Sequence, residues 1–318
     1  MRHRVIDVND VVVRFAGDSG DGMQLTGSLF ANTSAIYGNE LSTFPDYPAE
    51  IRAPHDTVSG VSGFQVHIGN GSVNTPGDYC DLLVVMNPAA LMANAKWCKR
   101  NAMIMADSDA FTEAAIQRAG FKTENPFTEL KVDDRTLIVV PITTLTEESL
   151  KEEGMDTKSL HRCKNMFTLG MACFIYDRPL DYTLEYIEGK FGKKHPEMVA
   201  PNQKVLKDGY NYAANLQMVA DTYHVAPANL KKGLYRNITG NQAAAWGFMA
   251  AAEKSGLQLF CGSYPITPAT AILEELAIYK SLGVKTMQCE DEISGICTAI
   301  GASYAGSLAV TTTSGPDR

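Results

Sequence analysis

Two strand-to-helix junctions near the C-terminus of this chain hold the side chains best suited to chemistry. The first reads Gly262-Ser263-Tyr264-Pro265-Ile266-Thr267-Pro268-Ala269-Thr270. A threonine hydroxyl there can donate one hydrogen bond to a bound anion or carbonyl. Pro268 in a first helical turn, capped by Thr267, is ordinary helix-start chemistry, whereas Tyr264-Pro265 additionally forces an extended residue before the turn. The second junction reads Gln288-Cys289-Glu290-Asp291-Glu292-Ile293-Ser294-Gly295. Three acids where a helix begins complement its dipole, and a solvated cap is the default reading when this junction is taken by itself.

A third candidate lies near the N-terminus, where Gly17-Asp18-Ser19-Gly20-Asp21-Gly22 separates a strand from a helix. Its GxxGxG spacing departs from the GxGxxG of dinucleotide-binding loops. Asp18 and Asp21 would also set negative charge where backbone N–H groups should attract phosphate. The alternative is a tight turn with acids at a helix start, and a nucleotide-dependent dehydrogenase built on this loop is correspondingly weak. Beyond it, Asp46 to Pro54 reads as a long polar loop in which Glu50, Arg52 and His55 face either a ligand or subunit, or solvent. The seven cysteines (80, 98, 163, 173, 261, 289 and 297) include no CxxC and no matching Cys/His spacing, which argues against a disulfide framework or a self-contained zinc or iron–sulfur site. They read as buried free thiols, Cys261, Cys289 and Cys297 among them, in a reducing cytoplasm.

The elements that must carry these motifs alternate in the manner of a parallel sheet covered by helices. Strands are expected at Val11–Ala16, Val61–Ile68, Leu82–Met86, Ala102–Ala106 and Thr136–Pro141, with helices over 22–37, 88–100, 110–119 and 160–176, and a mostly helical stretch over 182–223. The run Leu82 to Met86 reads as buried on both faces. After a Pro/Gly/Lys-rich linker the alternation resumes. Helices are expected over 241–254, 268–281 and 290–304 and strands over 257–261, 284–288 and 307–312, the last of them central. The expected division is therefore residues 1–225, a linker at 226–239, and a partial domain at 240–318. So short a second domain would leave its sheet unfinished, which implies truncation or completion by a partner.

Composition is that of a globular protein, with 45% hydrophobic and 20% charged residues. A net charge of −8 leaves no basic footprint for nucleic acid. The longest apolar run, Ala243 to Ala252, is far short of the roughly 18 residues a membrane span requires. A soluble, cytoplasmic protein is expected, with no nucleic-acid or membrane partner.

Taken together, YRNITGNQAAAWGFMAAAEKSGLQLFCGSYPITPAT from Tyr235 and QCEDEISGICTAIGASYAGSLAVTTTSGP from Gln288 resemble the alpha subunit of 2-oxoacid:ferredoxin oxidoreductases, most closely those acting on 2-oxoglutarate. RFAGDSGDGMQLTG and TFPDYPAEIRAP resemble the gamma domain fused ahead of alpha in that family. The resemblance implies an α/β architecture: a Rossmann-like gamma domain followed by an incomplete pyrimidine-binding domain for thiamine diphosphate. It implies that Glu292 is the carboxylate meeting N1′ of the aminopyrimidine ring. Thr267 would lie near cofactor and substrate carboxylate, with Tyr264, Pro265 and Ile266 walling the pyrimidine. It further implies a hetero-oligomer in which a beta subunit contributes the diphosphate and Mg²⁺ ligands and an iron–sulfur cluster, with coenzyme A as co-substrate and ferredoxin as electron acceptor. The implied reaction is oxidative decarboxylation of 2-oxoglutarate to succinyl-CoA, or its reverse.

Two departures from the family pattern stand out: the chain stops where the family runs on, and it lacks the diphosphate and Mg²⁺ ligands and the cluster cysteines. The family continues SGPG and runs on for hundreds of residues, whereas Ser314-Gly315-Pro316 is followed here by Asp317-Arg318. The arginine that grips substrate carboxylates is expected in that continuation, so no residue of this chain is assigned to it. A truncated, non-catalytic subunit with an assembly role is the second reading.

Overall fold

The computed structural model describes residues 4–18, 20–47, 60–216 and 221–314. The chain divides into two units, one ending at Lys232 and the other beginning at Gly233. The first runs β1 (Arg4–Val8), β2 (Asp10–Asp18), α1 (Met23–Tyr37), β3 (Glu40–Asp46), β4 (Val61–Gly69), β5 (Cys80–Val85), α2 (Pro88–Asn94), β6 (Cys98–Asp107), α3 (Glu113–Arg118), α4 (Pro126–Glu129), β7 (Thr136–Val140), α5 (Ile142–Ser149), α6 (Thr157–His161), α7 (Lys164–Ile175), α8 (Asp181–Phe191), α9 (Val199–Asn215) and β8 (Asp221–Val225). The second runs α10 (Gly240–Ser255), β9 (Leu259–Ser263), α11 (Thr270–Ile278), β10 (Lys285–Gln288), α12 (Glu292–Tyr304) and β11 (Leu308–Val310).

The main sheet of the first unit has the order β3-β4-β2-β5-β6-β7. Its β2, β5, β6 and β7 are parallel, as the alternating pattern demands. Val61–Ile68 is the exception: β4 runs antiparallel to both neighbours and slots between β2 and β3. β3 had no separate strand signal, because its pattern merges into the polar stretch read as loop from Asp46. Leu82 to Met86 are fully buried, as a strand covered on both faces must be. The helix expected over 88–100 stops at Asn94, and Cys98 already opens β6. In the stretch expected to be helical, β8 breaks away and pairs in parallel with β1.

Glycine sets the closest packing on this sheet. A side chain on Gly170 of α7 would collide with the Leu206 carbonyl of α9, and one on Gly209 of α9 with the Phe167 carbonyl of α7. The two helices therefore meet backbone to backbone over a core that includes Phe167, Leu169, Val205 and Leu206. The buried Arg178 guanidinium donates to Asn39 Oδ1 and to the carbonyls of Tyr176 and Val225, and lies 4.6 Å from the Tyr37 ring centroid. It ties the end of α7 to β8.

The second unit has a three-stranded parallel sheet, β10-β9-β11. β9 is central, not the C-terminal strand: β11 is an edge strand with all three residues half-buried. An apolar cluster of Ala245, Ala252, Leu259, Cys261, Leu273, Leu276 and Val284 joins α10 and α11 to the sheet. Right-handed crossovers from β9 to β10 and back to β11 place α11 and α12 on opposite faces. Among the described residues no helix is long and apolar enough to cross a membrane.

Gly209→Ala is expected to lower stability by about 3 kcal/mol in urea unfolding, because the methyl meets backbone that cannot yield. Gly189→Ala in α8, where a Cβ meets nothing within 4 Å, should instead gain about 0.5–1 kcal/mol.

Candidate functional site

The two C-terminal junctions leave the same edge of the second sheet. β9 and β10 are parallel neighbours with Ser263 opposite Gln288, and the Cys289 N–H donates to the Ser263 carbonyl at 2.7 Å. The chain leaves β9 toward one face and β10 toward the other. In open α/β sheets ligands bind outside the carboxyl ends of the strands. Residues 264–267 follow β9 at that edge and residues 289–292 follow β10.

Polar groups knit this edge. The Ser263 hydroxyl is fully buried and donates to the Thr312 carbonyl at 2.8 Å, while the Thr312 hydroxyl, 2.7 Å away, donates back to it. Tyr264 is buried, with its hydroxyl 2.7 Å from Thr313 Oγ1. The Ser314 hydroxyl donates to the Thr267 carbonyl at 2.8 Å, and Asn241 Nδ2 donates to the Pro268 carbonyl at 2.9 Å. The segment after β11 thus holds the 264–267 loop from beneath. Sequence reasoning passed over Ser263, Asn241, Thr313 and Ser314. The run Thr311-Thr312-Thr313-Ser314 directly after a strand was the available signal, since hydroxyls there meet the other carboxyl ends of a parallel sheet.

Thr267 does not cap α11. The helix begins at Thr270 with Ala269 as its N-cap and no side-chain cap, and a cis peptide bond joins Thr267 to Pro268. Thr270 takes up the end groups instead: its Oγ1 accepts from the Ile266 N–H at 2.7 Å and donates to the Ile266 carbonyl at 2.9 Å. The Thr267 hydroxyl takes part in no hydrogen bond among the described residues, and Pro265 and Thr267 are exposed.

On the opposite side, Asp291 is the N-cap of α12 and accepts from the Ser294 N–H at 2.8 Å. Glu292 is the first helical residue, exposed, and its carboxylate has no hydrogen bond or ion pair among the described residues. α12 lies close on β9: a Cβ on Gly262 would collide with Thr298 Oγ1 and come within 3.1 Å of the Gly295 carbonyl. The outer face of the helix exposes Ile293, Ile296, Ile300 and Tyr304.

The N-terminal glycine-rich loop is closed by its own charges. Asp21 pairs with Lys164 at 2.7 Å and accepts from the Asp18 N–H at 2.8 Å, and Asp18 accepts from Asn87 Nδ2 at 2.9 Å. Gly22, in the left-handed region at φ 73°, is the N-cap of α1. This is the tight turn the acids suggested. At the end of β6, Asp107 is fully buried, and burial raises its pKa despite hydrogen bonds from Thr143. Arg14, also buried, is held by Asn94, Gln65 and Asp46. Glu50, Arg52 and His55 lie outside the described residues. Among the described residues, no three His, Cys, Asp or Glu side chains are grouped to hold a metal. Burial pushes Cys261 up to about 11, and Cys289 is buried as expected, but Cys297 is exposed on α12 rather than buried.

Residues 12–212 match the family described as pyruvate ferredoxin/flavodoxin oxidoreductase, and residues 251–316 match its thiamine-diphosphate-binding domain. The chain belongs to this oxidoreductase family. It is 46% identical over 309 residues to the 2-oxoglutarate oxidoreductase subunit KorA of Mycobacterium tuberculosis, which covers 97% of this chain and 47% of that protein. It is 23% identical over 342 residues to subunit alpha of 2-oxoacid:ferredoxin oxidoreductase 1 of Aeropyrum pernix, covering 96% of this chain and 50% of that one. Among solved structures, it is similar to 2-oxoglutarate:ferredoxin oxidoreductase from Magnetococcus marinus, determined with 2-oxoglutarate, coenzyme A and succinyl-CoA bound. That likeness has a TM-score of 0.70 at 28% identity, over 97% of this chain and 48% of the other. The chain spans about half the length of these relatives.

Ser263→Ala leaves the Thr312 hydroxyl without its buried partner. It is expected to cost about 1–3 kcal/mol in urea unfolding, the usual penalty for an unpaired buried polar group.

Proposed function

We propose that this chain forms the gamma domain and the pyrimidine-facing part of the alpha subunit in a thiamine-diphosphate-dependent 2-oxoacid:ferredoxin oxidoreductase. The reading assigns it oxidative decarboxylation of 2-oxoglutarate with coenzyme A to succinyl-CoA, or the reverse reaction. The observation that carries it is the pair of junctions at the carboxyl ends of the neighbouring strands β9 and β10, with the unpartnered Glu292 carboxylate after one and the Tyr264–Thr267 loop after the other. That donor set fits an aminopyrimidine ring: a free carboxylate for a ring nitrogen, beside Pro265 and Ile266 as an apolar wall. The 2-oxoglutarate oxidoreductase of M. tuberculosis, aligned along nearly the whole chain, supports the substrate.

Bound thiamine diphosphate supplies the carbon nucleophile and electron sink that decarboxylation of a 2-oxoacid requires. Glu292 holds and returns a proton at the ring nitrogen, which is general acid–base work. The Thr267 hydroxyl donates a hydrogen bond toward the substrate carboxylate and orients it. Pro265 and Ile266 exclude water from that side, and Tyr264, anchored on Thr313, keeps the loop in place. In this reading a beta subunit covers the two junctions and brings the diphosphate and Mg²⁺ ligands and an iron–sulfur cluster, and ferredoxin takes the electrons one at a time. The exposed Ile293, Ile296, Ile300 and Tyr304 on α12 support a covering partner.

The complex isolated through this chain is expected to reduce viologen with 2-oxoglutarate, coenzyme A, thiamine diphosphate and Mg²⁺, and to do so faster than with pyruvate. Glu292→Gln should lower turnover at least about 10²-fold with assembly intact, the range general acid–base catalysis contributes. Thr267→Val should cost about tenfold, the loss of one hydrogen bond to a charged group. Undiminished turnover in Glu292→Gln would remove the catalytic assignment. No turnover from an intact, cluster-containing complex would favour a purely assembling subunit.

A further inference from the structure

Cys80 and Cys98 are the first residues of β5 and β6, neighbouring parallel strands in the first unit, and they stand directly opposite one another in the ladder. Their sulfurs are 3.9 Å apart, with the Cys80 S–H directed at Cys98 Sγ. Just past this pair the register shifts, Leu82 being the next residue of β5 in register, opposite Met103. The ladder between them is therefore irregular. Neither thiol has a part in the proposed chemistry, which belongs to the other unit.

We propose that Cys80 and Cys98 form a dithiol modification site whose substrate is a small hydroperoxide. Cys98 is the attacking sulfur. The Cys80 S–H hydrogen bond, with Arg135 and Arg14 nearby, lowers its pKa against the opposing effect of burial, whereas the same contact raises that of Cys80. The Cys98 thiolate attacks one peroxide oxygen, the O–O bond breaks, and the departing oxygen leaves as water or an alcohol after taking a proton. Cys98 is then a sulfenic acid. Cys80 loses its proton and attacks Cys98 Sγ, the S–O bond breaks, and a second water leaves as the S–S bond forms. Two thiols are oxidised and one peroxide is reduced, with no other reactant.

Geometry and burial define the peroxide class. The two sulfurs, 3.9 Å apart, have to close to the roughly 2.05 Å of a disulfide. Both thiols are buried, which excludes bulky disulfides as oxidants and makes a hydroperoxide as small as hydrogen peroxide the class proposed. The other cysteines differ. Burial pushes Cys163 and Cys261 up to about 11 and Cys173 to about 12, leaving them protonated, while Cys297 is exposed but has no cysteine paired with it in the fold.

The intact chain is treated with hydrogen peroxide, its remaining thiols are alkylated, and it is digested without reduction. Expected are a cross-linked peptide pair joining Cys80 to Cys98, loss of two of the seven thiols reversed by dithiothreitol, and an upward shift in Tm of the oxidised chain. In Cys80→Ser, dimedone should label Cys98; in Cys98→Ser it should leave Cys80 unlabelled. Alkylated Cys80 and Cys98 beside oxidised Cys297, or dimedone on Cys80, would overturn the proposal. If either serine variant fails to fold, the peptide map of the unaltered chain decides alone.

Discussion

The backbones of β9 and α12 meet at Gly262 and Gly295, and the candidate site depends on that contact. A Cβ on Gly295 would come within 3.3 Å of Thr311 Oγ1 and 3.5 Å of the Gly262 carbonyl, so the helix lies low across the central strand. Glu292 begins the same helix one turn earlier and is thereby brought to the carboxyl edge of the sheet. The close approach also leaves the inner face of α12 room only for small residues such as Gly295 and Ala299, which are buried there. Its isoleucines and Tyr304 consequently lie outward. One steric constraint therefore accounts both for where the carboxylate sits and for the apolar surface around it.

The first unit uses the same device for a different end. Gly170 and Gly209 let α7 and α9 touch, giving the sheet a rigid cover. At the carboxyl edge of that sheet, where phosphate sites are commonly built, Asp18 and Asp21 occupy the glycine loop and Lys164 neutralises Asp21. The loop spends its charges on its own closure. Its chemistry is that of a well-held turn, whereas Glu292 and Thr267 of the second unit keep side chains without partners among the described residues.

That edge of the second sheet is left open in a way that matches its proposed role. Glu292 and Thr267 present a carboxylate and a hydroxyl without partners among the described residues, and Pro265 is exposed beside them. Groups left open at the switch point of a parallel sheet are suited to a ligand that a second surface must cover. Ser263, Thr312, Thr313 and Ser314 hydrogen-bond to one another and to Tyr264 and Thr267.

Much of this was legible in the chain. Apolar runs located β2, β5, β6, β7 and β9, and the two junction motifs located the candidate residues, because a buried strand and a helix start each leave a local chemical pattern. The short edge elements were not legible. β3 and β8 are half-buried strands whose residues follow no strict alternation, and only pairing with β4 and β1 makes them strands. β11 was expected in the middle of its sheet because it is apolar, but β9 takes the centre through crossovers that no local pattern encodes. Thr267 looked like a cap because Thr-Pro commonly is one; the loop holding it down from Ser314 and Asn241 decided otherwise. The sequence by itself determined the parallel α/β character and the family. Only the tertiary structure decided which strands are adjacent, that Gly262 meets Gly295, and that Cys80 faces Cys98, because these contacts join residues whose local sequence carries no information about one another.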